Sequence, residues 1–267
     1  MSPEPEPGVV DPRRDHHPDT FYSAYALFKA KWVHQIRPRG RLLEIGCGEG
    51  HFLRAATSLG YDVAGVEVDA ARVRRVREAL GVEVRCSSFE DLQWQEASFD
   101  VVYHCDLLSH FADPVDALRK MRALLAPGGI LAIEAGTLGG IRPFWYRCIG
   151  QVGFPQHRWL YSETSLRHLL TRAGLSILKM QHFGLAPAVA LHQSRVLAAR
   201  AIGSLRRTST TRNTTHASRA IPNRRARLDT TYEILEQFFR YRLGAITPRI
   251  GPATWLIAAY PAPGVMA

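Results

Sequence analysis

The residues best placed to do chemistry stand early in the chain, in Leu42-Leu43-Glu44-Ile45-Gly46-Cys47-Gly48-Glu49-Gly50. Three glycines alternate with other residues directly after a short apolar run. Glycine lets the backbone turn tightly and lets a ligand approach where a β-carbon would stand in the way. Two phosphate-binding readings fail on spacing. The dinucleotide fingerprint G-x-G-x-x-G needs its third glycine at the position of His51. The phosphate loop of nucleotide hydrolases needs a lysine after its last glycine, and none is there. Glu44 also sets a carboxylate beside the loop, which opposes a pyrophosphate and suits a cationic ligand. Glu67 ends the next apolar run, 21 residues after Gly46. A carboxylate there can accept hydrogen bonds from both hydroxyls of a ribose. A ligand with a ribose and a cationic amino-acid end, but no phosphate, is S-adenosylmethionine.

These residues need a scaffold. Alternating patterns predict strands over 41–45, 61–67, 82–86, 99–105, 130–135, 175–183 and 254–260. Helical spacing predicts helices over 21–36, with Tyr25, Phe28, Trp32 and Ile36 on one face, over 51–59, over 69–80 closed by Gly81, and over 114–125 begun by Asp113-Pro114. A further helix opens at Ser162, in a capping-box pattern with Ser165 in place of the usual Glu or Gln. Strand and helix alternating with short links give an α/β fold, a doubly wound, seven-stranded, mostly parallel sheet with helices on both faces. Ligands of such sheets bind at the carboxyl ends of the strands, where the glycine loop sits.

Composition sets the outer limits. The chain has 267 residues, 46% hydrophobic and 22% charged, which suits a globular domain with a real core. Residues 1–19 hold five prolines and five acids without apolar periodicity and read as a disordered tail, leaving 20–267 as one domain. The N-terminus lacks the basic start and apolar stretch of a secretory signal, so a cytoplasmic location is expected. Cys47, Cys86, Cys105 and Cys148 form no C-x-x-C pair, so no metal motif is visible and reduced thiols are expected. The net charge of +10 is uneven: residues 1–140 carry 16 Lys and Arg against 20 Asp and Glu, and residues 141–267 carry 18 against 4. Within 195–227 stand nine arginines and no acid. The segment 205–227 reads as a mobile loop inside an insertion, 184–253, that precedes the last strand. Contact with an anionic membrane surface is one expected use of that charge. Nucleic acid is a weaker one, because single-strand binding wants aromatics among the basic residues and 195–227 has none.

The sequence resembles the class I S-adenosylmethionine-dependent methyltransferases, in a broad bacterial subgroup that acts mainly on small molecules. LLEIGCGEG matches the family's E/D-x-G-x-G-x-G, and GVEVD matches its second motif. SFDVVYHCDLLSHFADPVDALRKMRALLAPGGILAIE matches its fourth-strand to fifth-strand block, and HRWLYSETSLRHLLTRAGL resembles the segment that follows. The resemblance implies a cofactor site made of Glu44, Gly46, Gly48, Gly50, Glu67, Ser88, Phe89, Cys105 and Asp106. Ser88 and Phe89 would face the adenine, while Cys105 and Asp106 would border the methyl donor and its acceptor. Glu90 is the substitute for an acid usual near Ser88.

Methyl transfer from a sulfonium is an in-line displacement, helped by holding donor and acceptor aligned. A hydroxyl acceptor must also lose its proton, and histidine is the common base. His157 and His110 are the two candidates, with His104 behind them. The segment 136–160, rich in glycine, proline and aromatics, is expected to cover the acceptor as a lid. Phe144, Trp145, Tyr146, Phe154, Trp159 and Tyr161 would suit an apolar or aromatic small molecule. The expected function is small-molecule methylation, O-methylation first, with N- or C-methylation behind it. A nucleic-acid methyltransferase and a noncatalytic binder of the cofactor are the alternatives.

Overall fold

The computed structural model describes residues 19–137, 157–188, 190, 191, 194, 231, 235–247 and 251–264. The tail expected over 1–19 lies outside them except for Asp19, which opens a helix instead; residues 138–156 of the lid and the whole Arg-rich loop also lie outside. The described residues fall into two compact units. The first holds 19–137, 157–181 and 255–264, and the second the described part of 182–254. Among the described residues no helix is long and apolar enough to cross a membrane.

In chain order the elements are α1 (Asp19–His34), β1 (Arg41–Ile45), α2 (His51–Ser58), β2 (Asp62–Glu67), α3 (Ala70–Leu80), β3 (Glu83–Cys86), β4 (Phe99–Cys105), α4 (Pro114–Ala123), β5 (Leu125–Thr137), α5 (Glu163–Arg172), β6 (Leu175–Gly184) and β7 (Ala253–Pro261). The seven strands form one sheet in the order β3-β2-β1-β4-β5-β7-β6. β1 pairs in parallel with β2 and β4, β2 with β3, and β4 with β5. The order reverses direction at β1, so the crevice at its carboxyl end is the natural ligand site of the sheet. The central strands are buried almost throughout, as strands covered on both faces must be.

Local chemistry fixes the helix ends. Asp69 accepts from the amides of Ala71 and Arg72, and Asp113 from those of Val115 and Asp116. Gly81 closes α3 in the left-handed region. Ser162 and Ser165 bond reciprocally at the start of α5, with serine doing the work of the usual glutamate.

Three expectations need correction. β5 begins at Leu125 rather than Ile130: Phe99 pairs with Leu125 and Val101 with Ile130, so Pro127-Gly128-Gly129 form an irregularity inside the strand. α4 ends at Ala123 because Leu125 already belongs to that strand. The face that α1 buries is Ala26, Lys29, Ala30 and Val33, with Trp32, rather than Tyr25, Phe28, Trp32 and Ile36. The buried stripe contains a lysine, which a hydrophobic pattern cannot recognise.

The second unit contains a π-helical turn, Phe238–Leu243, followed by a short 3-10 turn, Gly244–Ile246. There Phe183 packs edge-on to Tyr241, and the close approach of Gly244 to the Gly184 carbonyl leaves no room for a β-carbon.

Candidate cofactor and acceptor site

Gly46, Gly48 and Gly50 all adopt left-handed angles, φ +71°, +54° and +75°, but for different reasons. A β-carbon on Gly50 would lie 2.9 Å from Val76, so this glycine lets α2 approach α3. One on Gly46 would meet Leu107 at 3.4 Å, whereas one on Gly48 would meet nothing within 4 Å. The loop therefore faces open space at Gly48. The amides of Gly46 and Cys47 donate to Val66 O at 2.8 and 3.0 Å, which ties the loop to β2.

Glu67 has a task that its sequence position did not reveal. Its Oε2 accepts from the Gly48 amide at 2.9 Å, and its Oε1 from the amides of Val68 and Asp69 at 3.0 and 3.1 Å. The carboxylate thus staples the loop after β1 to the loop after β2. A carboxylate offers about four acceptor positions, so one hydroxyl can be added directly and a second displaces an amide.

Glu44 is buried, and its Oε2 has no hydrogen-bond partner. Burial raises its pKa well above the usual carboxylate range. The Lys29 charge and the Leu53 amide oppose that rise, and Glu67 adds to it. An orphaned buried carboxyl oxygen at the glycine loop suits an incoming ammonium, which would draw its proton off.

The register extends this into a row. Glu44 lies beside Tyr103, and Cys105 beside Glu134. In-register neighbours on parallel strands share a face, so Glu44, Tyr103, Cys105 and Glu134 cross the sheet on one side. α1 covers the row. Lys29 Nζ stands 3.0 Å from Glu134 Oε2 and 3.1 Å from Cys105 Sγ, and the Cys105 thiol donates to Glu134 at 3.4 Å. The Tyr25 hydroxyl donates to Glu134 Oε1, and Lys29 Nζ lies 3.8 Å from the centre of the Tyr25 ring. Burial works against the Lys29 charge, but Cys105 and Glu134 outweigh it and hold its pKa up. Burial, with Glu134, pushes the Cys105 thiol up to about 12, so Cys105 is a neutral donor. At its other end α1 meets the glycine loop: Tyr22 stacks on His51, the first residue of α2, at 5.6 Å.

After β4 the chain turns sharply at Asp106, whose φ is +52° and whose amide donates to Glu134 O. A 3-10 turn, Leu108–His110, follows. The segment 157–161 is fastened to it. His157 Nδ1 lies 2.7 Å from Ser109 Oγ, the Arg158 amide donates to Ser109 O, Trp159 Nε1 donates to Phe111 O and the Tyr161 hydroxyl to Leu108 O. The rings of His110 and His157 are 4.7 Å apart. The two histidines that the sequence offered as separate candidates thus form one pair, with Ser109 as an unforeseen third member. His104 is different: it is fully buried, its two ring nitrogens have no partner, and burial takes its pKa down to about 3. It stays neutral in the core and is no base for an acceptor. Tyr161 is buried and fastens the segment, whereas Trp159 is exposed.

In the loop after β3, Ser88 Oγ and the Asp91 carboxylate bond at 2.8 Å, so Asp91, rather than Glu90, is the acid that Ser88 engages. Phe89 is buried against Phe111. Asp100 takes a structural place, accepting from Arg37 and from the Arg41 amide.

A family model described as a methyltransferase domain matches residues 16–180. The chain belongs to the class I S-adenosylmethionine-dependent methyltransferases. Over 96 residues it is 36% identical to a ubiquinone biosynthesis O-methyltransferase of Cereibacter sphaeroides, covering 34% of this chain and 39% of that protein. Over 103 residues it is 35% identical to the one of Xanthomonas campestris, covering 36% and 43%. The chain thus matches about two fifths of the length of these curated relatives. Among solved structures, a geranyl diphosphate methyltransferase in complex with S-adenosylmethionine superposes with a TM-score of 0.57 at 18% identity, over 90% of this chain and 85% of that one. The cyclase SpnF superposes with a TM-score of 0.55 at 19% identity, over 89% and 82%. These two likenesses concern the fold, which hosts more than one chemistry.

The residues present fit the family's cofactor. Gly48 leaves its α-carbon facing open space, and Glu44 offers an unpartnered oxygen for a cation.

Proposed function

We propose that this methyltransferase acts on a hydroxyl of a small molecule. The observation that carries the proposal is the Ser109–His157–His110 cluster at the turn after β4. It fixes an imidazole where an acceptor hydroxyl could give up its proton. The names of the matched relatives support O-methylation. When bound, S-adenosylmethionine supplies an activated methyl group. The protein's share is to hold and orient. Gly46 and Gly48 would receive the methionine part, Glu44 its ammonium, and Glu67 one ribose hydroxyl, with the second exchanging for an amide. Ser88 and Phe89 would flank the adenine, and Cys105 and Asp106 would border the transfer site. His157 Nδ1 is engaged by Ser109, which leaves Nε2 to take the acceptor proton, and the exposed Trp159 ring would meet an apolar acceptor. The test is transfer of labelled methyl from S-adenosylmethionine to separate pools of hydroxyl-bearing and amine-bearing small molecules. Label in the hydroxyl pool is expected, and label confined to amines would overturn the reading.

A second proposal concerns the second unit: peripheral contact with an anionic membrane. Leu235, Phe238 and Ile246 are exposed, Ile246 by 80%, and Arg240 and Arg242 stand among them. Apolar anchors beside arginines suit a negatively charged surface. Salt-sensitive binding to anionic vesicles is expected, weakened when Leu235, Phe238 and Ile246 are all replaced by serine. Equal binding by that variant and the wild type would remove their role.

A further inference from the structure

The buried pair of Lys29 and Glu134, with Tyr25 donating to Glu134, is not needed to hold the cofactor or to take a proton; Cys105 beside it would border the transfer site. Nor is the pair needed to seat α1, because replacing a buried ion pair by well-packed apolar side chains is often neutral or stabilising. Lys29 and Glu134 are each only 4% exposed. What distinguishes the pair is its place. It lies toward the carboxyl end of β5, on the face that also carries Glu44, with β4 between it and β1, whose loop faces open space at Gly48.

The methyl donor and its spent product share adenine, ribose, ammonium and carboxylate. They differ in one methyl group and one positive charge, since the donor is a sulfonium and the product a neutral thioether. Every contact with the shared parts binds both alike. Discrimination therefore depends on the fixed charges around the sulfur. Glu44 and Glu67 lie on the glycine-loop side, and Glu134 with its counter-charge Lys29 lies on the acceptor side.

We propose that the buried Lys29–Glu134 pair keeps the protein balanced between the charged donor and the neutral product, with Lys29 offsetting the pull that Glu134 alone would exert on the sulfonium. The inference rests on the cofactor placement proposed above. Glu134 attracts the sulfonium and Lys29 repels it. Held together they nearly cancel, so the donor is not bound so tightly that the site loses the ability to exchange it. Tyr25 and Cys105 fix Glu134 by donating to it. Lys29 and Glu134 are thus opposed residues, either of which, left alone, would tilt the specificity through the field at the sulfur.

The two halves of the pair should act in opposite directions, which an anchoring role would not do. Calorimetric titration of the full chain with S-adenosylmethionine and with S-adenosylhomocysteine gives the ratio of the two dissociation constants. Lys29→Met, measured at pH 8.5, should shift that ratio toward the donor by on the order of three- to tenfold, the scale of one uncompensated charge nearby. Glu134→Gln, measured at pH 6.5 so that Lys29 stays charged, should shift it toward the product by a similar factor. The double variant, neutral and without a lone buried charge, should return to within about twofold of the wild type at each pH. Tyr25→Phe leaves the pair intact and removes one donor from Glu134. It should shift the ratio about twofold toward the donor, and it carries the test if a single charge removal prevents folding. Equal weakening of both ligands in every folded variant, with the ratio unchanged, would overturn the inference and leave the pair as an anchor. Failure of the wild type to bind either ligand would instead sink the cofactor placement.

Discussion

The two sides of the site are built by opposite means. On the β1 side the work is done by backbone and by space: an open face at Gly48, amides bonded to Val66, and a carboxylate that staples two loops. On the β4–β5 side it is done by buried charged side chains under α1. A backbone-built site fails when a side chain is added, whereas a side-chain-built site changes character when one is removed. The first should behave as a switch for binding and the second as a dial for selectivity and rate.

The comparison breaks most sharply at Gly48. Gly48→Val puts a branched side chain at a left-handed position and into the open space, so it should abolish cofactor binding with the fold retained. Calorimetry and circular dichroism check both halves, and undiminished binding would contradict the open-space reading. On the other side, His157→Ala should lower turnover by about 10²–10⁴-fold while cofactor affinity stays the same. His110→Ala is the matched comparison, and full activity in both would leave neither as a required base. Glu67→Ala should weaken cofactor binding at least about tenfold, since hydrogen bonds to a charged group contribute about 1.5–3 kcal/mol each. It should also loosen the loop, because the Gly48 amide loses its acceptor, so faster amide exchange at 46–50 should accompany the loss of affinity.

The smallest effect is a pH dependence. Burial raises the Glu44 pKa, so the folded protein holds that proton more tightly than the unfolded chain. Its contribution to stability is fully present below the unfolded value and is lost as pH rises through the raised one. A cationic ligand favours the ionised form instead. Cofactor affinity should therefore rise with pH until Glu44 ionises unaided, and then level off. Glu44→Gln should flatten the profile, and an unchanged slope in that variant would assign the dependence to another group.

The backbone-built side was legible in the sequence because spacing encodes it: Gly46, Gly48, Gly50 and Glu67 sit where the strand ends require them. β1 and β4 matched their expected bounds for the same reason, as their apolar runs are closed by clear punctuation. The side-chain-built side was not legible. Lys29 lies on the buried stripe of α1, and its partner Glu134 is 105 positions away, so nothing in local periodicity marks either one. The pairing of His157 with Ser109 is likewise a tertiary fact, 48 residues apart in sequence. The bonds of Glu67 to Gly48, Val68 and Asp69 were not legible either, because they depend on how the two loops meet.

The most direct measurement is a crystal structure of the full chain with S-adenosylhomocysteine. The account predicts the ammonium on Glu44, the methionine backbone along Gly46 and Gly48, and a ribose hydroxyl on Glu67. It also predicts the sulfur toward the carboxyl ends of β4 and β5, on the side of Cys105 and Glu134. A ligand seated away from the glycine loop, or with its sulfur turned from β4 and β5, would contradict it.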